Sequence, residues 1–249
     1  MTDKLEQSKP YTTFINKLLH FDDDVEFVDI IYKYFTTASK SNDFLLFSLR
    51  NKDRHPNLCR YANTDQSARI VSGHLRSSIY SSYVKDLYEE VIIYLRDLIV
   101  EAKNNAMIEP KSIVGEQNIK MTAIRIFELL ETNTLEAAVI NEIFRTLEKQ
   151  KNTLALIEEV CKRLGLGIDK SLIEDAVNYL EIRHILVHRD GKPDDAFREA
   201  HPQYRYNDDE SIDLTYELLQ NMRTSVCKLL ENIDQAALKL KLLRSNTDN

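Results

Sequence analysis

GHLRSSIYSSYVKDLYEEVIIYLRDLIVEA, residues 73–102, carries Leu75, Ile79, Tyr83, Leu87, Val91, Leu95, Leu98 and Ala102 at spacings of three and four. On a helix of 3.6 residues per turn that spacing keeps one apolar stripe on one side. The stripe predicts an amphipathic helix of unusual length, beginning near Ser67. Gly73 and the serine-rich stretch around Ser81 are the points at which it would break. A stripe this long needs other helices to cover it, and the rest of the chain is read for them.

Downstream, the polar run AKNNAMIEPKSIVGEQN (102–118) ends the long helix, and shorter helices are expected over roughly residues 117–131 and 134–165. The second of these is expected to divide, with LGLG (164–167) as its C-terminal cap. SLIEDAVNYLEIRHILVHRDG (171–191) opens with Ser171 and Glu174 in capping-box spacing and keeps helical period up to the RDGKPDD turn. AHPQYRYNDDES (200–211) reads as a loop or short irregular excursion. A last long helix follows, with Leu214, Leu218, Met222, Val226, Leu229, Leu230 and Ile233 on one side. Upstream, DDDVEFVDIIYKYF (22–35) reads as a helix whose acidic start suits the positive end of the helix dipole. NDFLLFSLR (42–50) is too short to assign, and KDRHPNLCRYANTD (52–65) reads as a loop because Pro56 restrains His55. The expected architecture is all-α: an antiparallel helical bundle over residues 63–249, preceded by a small helical or mixed N-terminal extension, residues 1–62, of unknown role.

Composition narrows the function classes. With 43% hydrophobic and 29% charged residues the chain is too apolar for a disordered protein, and five Gly with five Pro are too few turn formers for a many-stranded sheet protein. No apolar signal core and no long apolar span appears, and Cys59, Cys161 and Cys227 are too widely spaced for a disulfide framework or a CxxC site. The reducing cytoplasm is the expected compartment. A net charge of −7 argues against coating a nucleic acid by bulk electrostatics, so any RNA contact should be focal.

Within YLEIRHILVHRDG (179–191) a permanent charge stands where a leucine would be expected. On an ideal helix measured from Leu172, the apolar side chains fan around a direction of roughly 50° and Arg183 falls near 20°. An arginine there can cover the core with its stem and send its guanidinium out to water or to a carboxylate. Alternatively its face is turned toward a cleft or a partner, where a planar fork of donors can hold a phosphate. His188, five residues on, is nominally 140° around the helix, so convergence of the two requires Arg183 to reach or the helix to loosen before Gly191. Such a pair supports metal-free cleavage of RNA by its own 2′-hydroxyl. Histidine accepts the hydroxyl proton or protonates the departing 5′-oxygen, and arginine neutralises charge on the phosphorane. His184 and His188, four apart, compete as a metal pair, but no third ligand is evident in the sequence.

RHILVH followed by RDGK resembles the signature of the HEPN superfamily (higher eukaryotes and prokaryotes nucleotide-binding domain). Its ribonuclease members carry an arginine, often a polar residue after it, and a histidine four to six positions beyond the arginine. Here these are Arg183, His184 in place of the more usual asparagine or aspartate, and His188. The helix 73–98 is similar to the first long helix of those domains, and the resemblance spans about Ser67 to Leu243. It implies an all-helical homodimer with facing motifs that cuts RNA without metal or other cofactor, often as a bacterial toxin or antiviral defence effector. Arg183 and His188 would be catalytic. His184, Arg189 and Lys192 would bind substrate, and an antitoxin or defence-system protein would be a further partner. The rival reading is a catalytically silent binding or adaptor module of the same superfamily.

Lesser candidates surround the motif. Glu89 and Glu90 on the long helix are either a solvated acidic face or a carboxylate that orients Arg183 or His188. Arg76 and Lys85 on that helix either lie on the surface or extend a phosphate-binding rim. Tyr204 and Tyr206, flanking Arg205, either anchor their loop or stack a base. Arg189 and Lys192 form the local basic rim at which RNA could dock on an acidic protein.

Overall fold

A computed structural model describes residues 6–37, 53–61, 64–105, 119–150 and 152–246 of the chain. Its organising element is the helix read from residues 73–102, which runs unbroken from Asp65 to Asn104, 40 residues (α2). Thr64 caps it by accepting from the Ser67 amide. Neither Gly73 nor the serines interrupt it, because a partner helix lies alongside. Tyr80, Val84, Leu87, Leu95, Leu98 and Ala102 are sealed from solvent, each large side chain contributing about 1.5–3 kcal/mol of burial.

That partner is α1 (Lys9–Thr37), 29 residues. Polar contacts fix their relation: Lys17 pairs with Glu90 at 2.8 Å, Tyr83 Oη donates to Asp22 at 3.2 Å, and Tyr80 Oη donates to Asp29 at 3.2 Å. Positions ascending in α1 meet positions descending in α2, so the two are antiparallel. α1 lies within the stretch expected as the N-terminal extension, and its Tyr11, Phe14, Leu18, Val25 and Val28 belong to the same hydrophobic core as α2 and the last helix. The acidic run 22–24 does not start this helix. Tyr11, Phe14 and Leu18 carry the helical period upstream of it, Asp22 faces inward, and the first turn holds no acid. The reading of 42–50 falls outside the described residues, as does most of the run 102–118. Residues 58–60 form a single 3₁₀ turn within the expected loop.

Two short helices follow, α3 (Ala123–Glu131) and α4 (Leu135–Gln150), then α5 (Thr153–Arg163), capped by Asn152. The division within 134–165 thus occurs, and LGLG ends α5. Gly165 takes φ +67°, its amide donates to Lys162 O at 3.1 Å, and the Leu166 amide donates to Cys161 O at 2.8 Å. These are the two bonds of a Schellman cap.

The motif lies on α6 (Lys170–Leu180) and α7 (Ile182–His188). α6 starts earlier than the capping-box spacing indicates, because Asp169 accepts from the Ser171 amide at 2.9 Å while Glu174 pairs with Lys170. The continuous helix expected through 171–188 is broken at Glu181, where the His184 amide donates back to Glu181 O at 3.0 Å. Leu180 and Ile182 are both buried, at 2% and 0% exposure, yet on a straight helix they would stand about 200° apart. The break turns the second segment so that Ile182 and Ile185 seal against the core. Leu186 is then only half-buried and Val187 exposed, so the apolar stripe expected around Arg183 is not one continuous surface.

Beyond the turn lie α8 (Asp195–Ala200), unforeseen and capped by Asp194, an irregular excursion through residue 215, and α9 (Tyr216–Lys239). α9 packs on α6, α2 and α1 through Leu219, Met222, Val226, Leu229, Leu230 and Ile233. The fold is all-α, with no strand among the described residues beyond two isolated bridges.

Candidate functional site

Arg183 projects from α7 onto α2. Its Nη2 donates to Glu89 Oε1 at 3.1 Å, and its guanidinium lies 4.8 Å from the centre of the Tyr88 ring. Glu89 is therefore the carboxylate that holds Arg183, whereas Glu90 on the next position turns toward Lys17. Arg183 Nε is buried and has no hydrogen-bond partner among the described residues. The side chain is 27% exposed. A buried N–H left unpaired costs about 1–3 kcal/mol.

A cavity of about 290 Å³ opens at this point, between α2, the start of α5 and the α6/α7 break. Arg183 and His184 line it together with Tyr88, Asn152, Thr153 and Glu181. Burial pushes the Tyr88 phenol up, so that ring stays neutral beside the guanidinium.

His184 and His188 are one helical turn apart, with ring centres 4.7 Å from each other. Both are exposed, as is Val187 between them. The two rings meet at a tilt of 49°. Arg183 is drawn to α2, and His188 faces solvent at the end of α7. Among the described residues no group of three His, Cys, Asp or Glu stands where a metal ion could be held.

The basic rim is partly spent. Arg189 pairs with Asp194, whose carboxylate also accepts from the Phe197 amide at 2.9 Å as the cap of α8. Those contacts, the amide first, hold the Asp194 carboxyl below its usual range. Lys192 is exposed and makes no ion pair among the described residues. The turn between them places Asp190 at φ +53° and Gly191 at φ +78°, a left-handed pair that Asp and Gly tolerate best.

The tyrosine loop is an anchor. Tyr204 is buried and its Oη donates to Asn178 O at 2.9 Å, while Tyr206 lies beneath Arg198 with the guanidinium 5.0 Å from its ring centre. Tyr204 is thus not free to stack a base. Tyr88, Asn152 and Thr153 are the site residues that sequence reasoning missed. Nothing local marks a tyrosine on α2 as the floor beneath an arginine 95 positions later, and only Glu89 beside it carried a signal.

Compared with family models, with curated proteins and with solved structures, the chain finds no match.

Proposed function

We propose that this protein is a metal-independent endoribonuclease that works as a homodimer, with Arg183 and His188 as its reacting side chains. The observation that carries the reading is the state of Arg183. It is braced by Glu89 and Tyr88 with Nε buried and unpaired, at the mouth of a cavity shared with His184. A guanidinium so held is partly preorganised to donate to a non-bridging phosphate oxygen.

His188 of one copy accepts the proton of the RNA 2′-hydroxyl, and the 2′-oxygen attacks the adjacent phosphorus. Arg183 donates to the charged equatorial oxygen. The bond from phosphorus to the 5′-oxygen then breaks, and a protonated His188 of the second copy supplies the proton that the 5′-oxygen takes up. The products are a 2′,3′-cyclic phosphate and a 5′-hydroxyl. His184 packs against His188 at a tilt and orients its ring, and Lys192 lies at the rim toward the phosphate backbone. Two copies are invoked because Arg183 is engaged by Glu89 on α2 while His188 stands exposed, and the exposed surface of His184, Val187 and His188 is where the second copy would meet the first. The role follows as a toxin or defence effector acting on RNA, with a partner protein restraining it.

The silent binding module is favoured by a different observation: Glu89 already satisfies Nη2, so Arg183 is neutralised in the single chain. Incubation with an unstructured RNA in excess EDTA separates the readings. The ribonuclease reading expects cutting, and resistance when the sugar at the cut site is 2′-deoxy. Binding with no cutting by a verified dimer favours the silent module. Activity lost on chelation and restored by one ion favours a metal site at His184 and His188.

A further inference from the structure

Beside the motif, on the other side of the Gly191 turn, lies a cleft of about 470 Å³. This is within the range of pockets that enclose a nucleotide-sized ligand. One wall is α2, where Gly73, Ser77, Ser81 and Lys85 recur every four residues and form one ridge. Three of those four side chains are small, which is why the cleft is open. The opposite wall is the excursion after the motif, held in place by main-chain bonds from Ile212 N to Gly191 O and from Asp213 N to Arg205 O, both 2.9 Å.

The charges in this cleft are arranged unusually. Arg76 and Lys85 stand on the α2 wall, and Asp190 and Asp213 on the other. Opposite charges sharing a cleft usually close into ion pairs, yet among the described residues none joins these four within 4.0 Å. Arg76 instead lies over the Tyr32 ring, 4.1 Å from its centre, and 5.5 Å from the centre of the Tyr80 ring. Asp209, the third acid on that wall, is taken up by the Ser211 amide and hydroxyl. The cleft therefore offers donors on one side and carboxylate acceptors on the other. It complements a ligand that carries an anion at one end and N–H groups at the other.

We infer that this cleft is a nucleotide subsite for the RNA strand beside the motif, with a phosphate at Arg76 and Lys85 and an amino-bearing base edge at Asp213 and Asp190. The assignment rests on the ribonuclease reading for its substrate class. A carboxylate accepts from the exocyclic amine of cytosine but repels the carbonyl that uracil presents at the same position. The subsite thus discriminates between pyrimidines, and single-stranded RNA is the form whose base edges are free to enter.

The test uses fluorescein-labelled eight-residue oligomers of 2′-O-methyl cytidine and of 2′-O-methyl uridine, which bind without being cut, read by anisotropy on the full-length protein. The cytidine oligomer should bind about tenfold more tightly than the uridine oligomer, each good base contact being worth roughly that factor or more. Asp213→Ala should abolish the preference, and Lys85→Ala should weaken both oligomers about equally, with helical content checked for each variant. Equal binding of the two oligomers, a preference unchanged in Asp213→Ala, or no binding at all overturns the subsite. So does displacement by cytidine 5′-monophosphate at the oligomer's own affinity, which marks a free-nucleotide site. Cleavage of ordinary RNA, measured alongside, keeps the two claims apart. Cutting with a failed preference test leaves the ribonuclease reading standing, whereas a passed preference test without cutting removes that reading and keeps the subsite.

Discussion

Arg183 stands between Ile182 and Leu186 on a helix whose inward side is sealed, and its guanidinium reaches α2 through one hydrogen bond and one aromatic face. Arg183→Ala is predicted to lower the cleavage rate by about 10²–10³ through lost transition-state charge stabilisation. Arg183→Lys should recover little of it, because a point charge cannot keep Glu89 and still present a second planar donor. In the proposed reaction Glu89 would act only through Arg183. Its side chain is 54% exposed, so the pair adds little to stability. Glu89→Ala should lower kcat by about tenfold while leaving the unfolding midpoint unchanged, on the scale of about 0.5 kcal/mol expected at surface positions. A variant with full kcat contradicts the positioning role, and lysine rescue of Arg183→Ala contradicts the need for the fork. Arg183 was conspicuous in the sequence because it is a charge among leucines and isoleucines. Its partners were not, since contacts separated by more than ninety positions leave no local pattern.

At the scale of elements, the long helix was readable because eight apolar residues keep one period over thirty positions, and tertiary packing overrode the weak helix preference of Gly73 and the serines. The α6/α7 break was not readable. No glycine or proline marks Glu181 and the apolar run continues across it, so only the burial of both Leu180 and Ile182 marks the break. The start of α1 lies upstream of the acidic run that suits a helix N-terminus, because the apolar period begins at Tyr11. Asp22 and Asp29 are in fact interior partners of Tyr83 and Tyr80, and burial first, then the aspartate charge, drives both phenols well above their ordinary range. The measure of α2's importance is stability. Leu95→Ala at its centre, where the side chain is fully buried, should cost about 2–5 kcal/mol in urea unfolding. A loss below 1 kcal/mol contradicts a single core shared by α1, α2 and α9.

For the molecule as a whole, one chain displays Val187 at 43% exposure between two exposed histidines and holds Arg183 on Glu89. No described helix is long and apolar enough to cross a membrane. Sedimentation at micromolar concentration should therefore give a dimer of about twice 29 kDa, and Val187→Glu, which puts a carboxylate on the proposed interface, should shift it to monomer and abolish cutting together. A fully active monomer contradicts the two-copy mechanism. On the proposed ribonuclease reading, the acidic balance of the chain would confine RNA to the local donors at the motif and its neighbouring cleft, so binding should weaken with salt less steeply than for a basic coating protein. The central claim is that the RNA's own 2′-hydroxyl is the nucleophile, moved by His188 without a metal. The most direct measurement is cleavage of one unstructured RNA in excess EDTA by wild type and by His188→Ala, with both product ends determined. The account predicts a 2′,3′-cyclic phosphate and a 5′-hydroxyl from the wild type, and a rate lower by about 10²–10⁴ in the variant. A 3′-hydroxyl product, or full activity in His188→Ala, would contradict it.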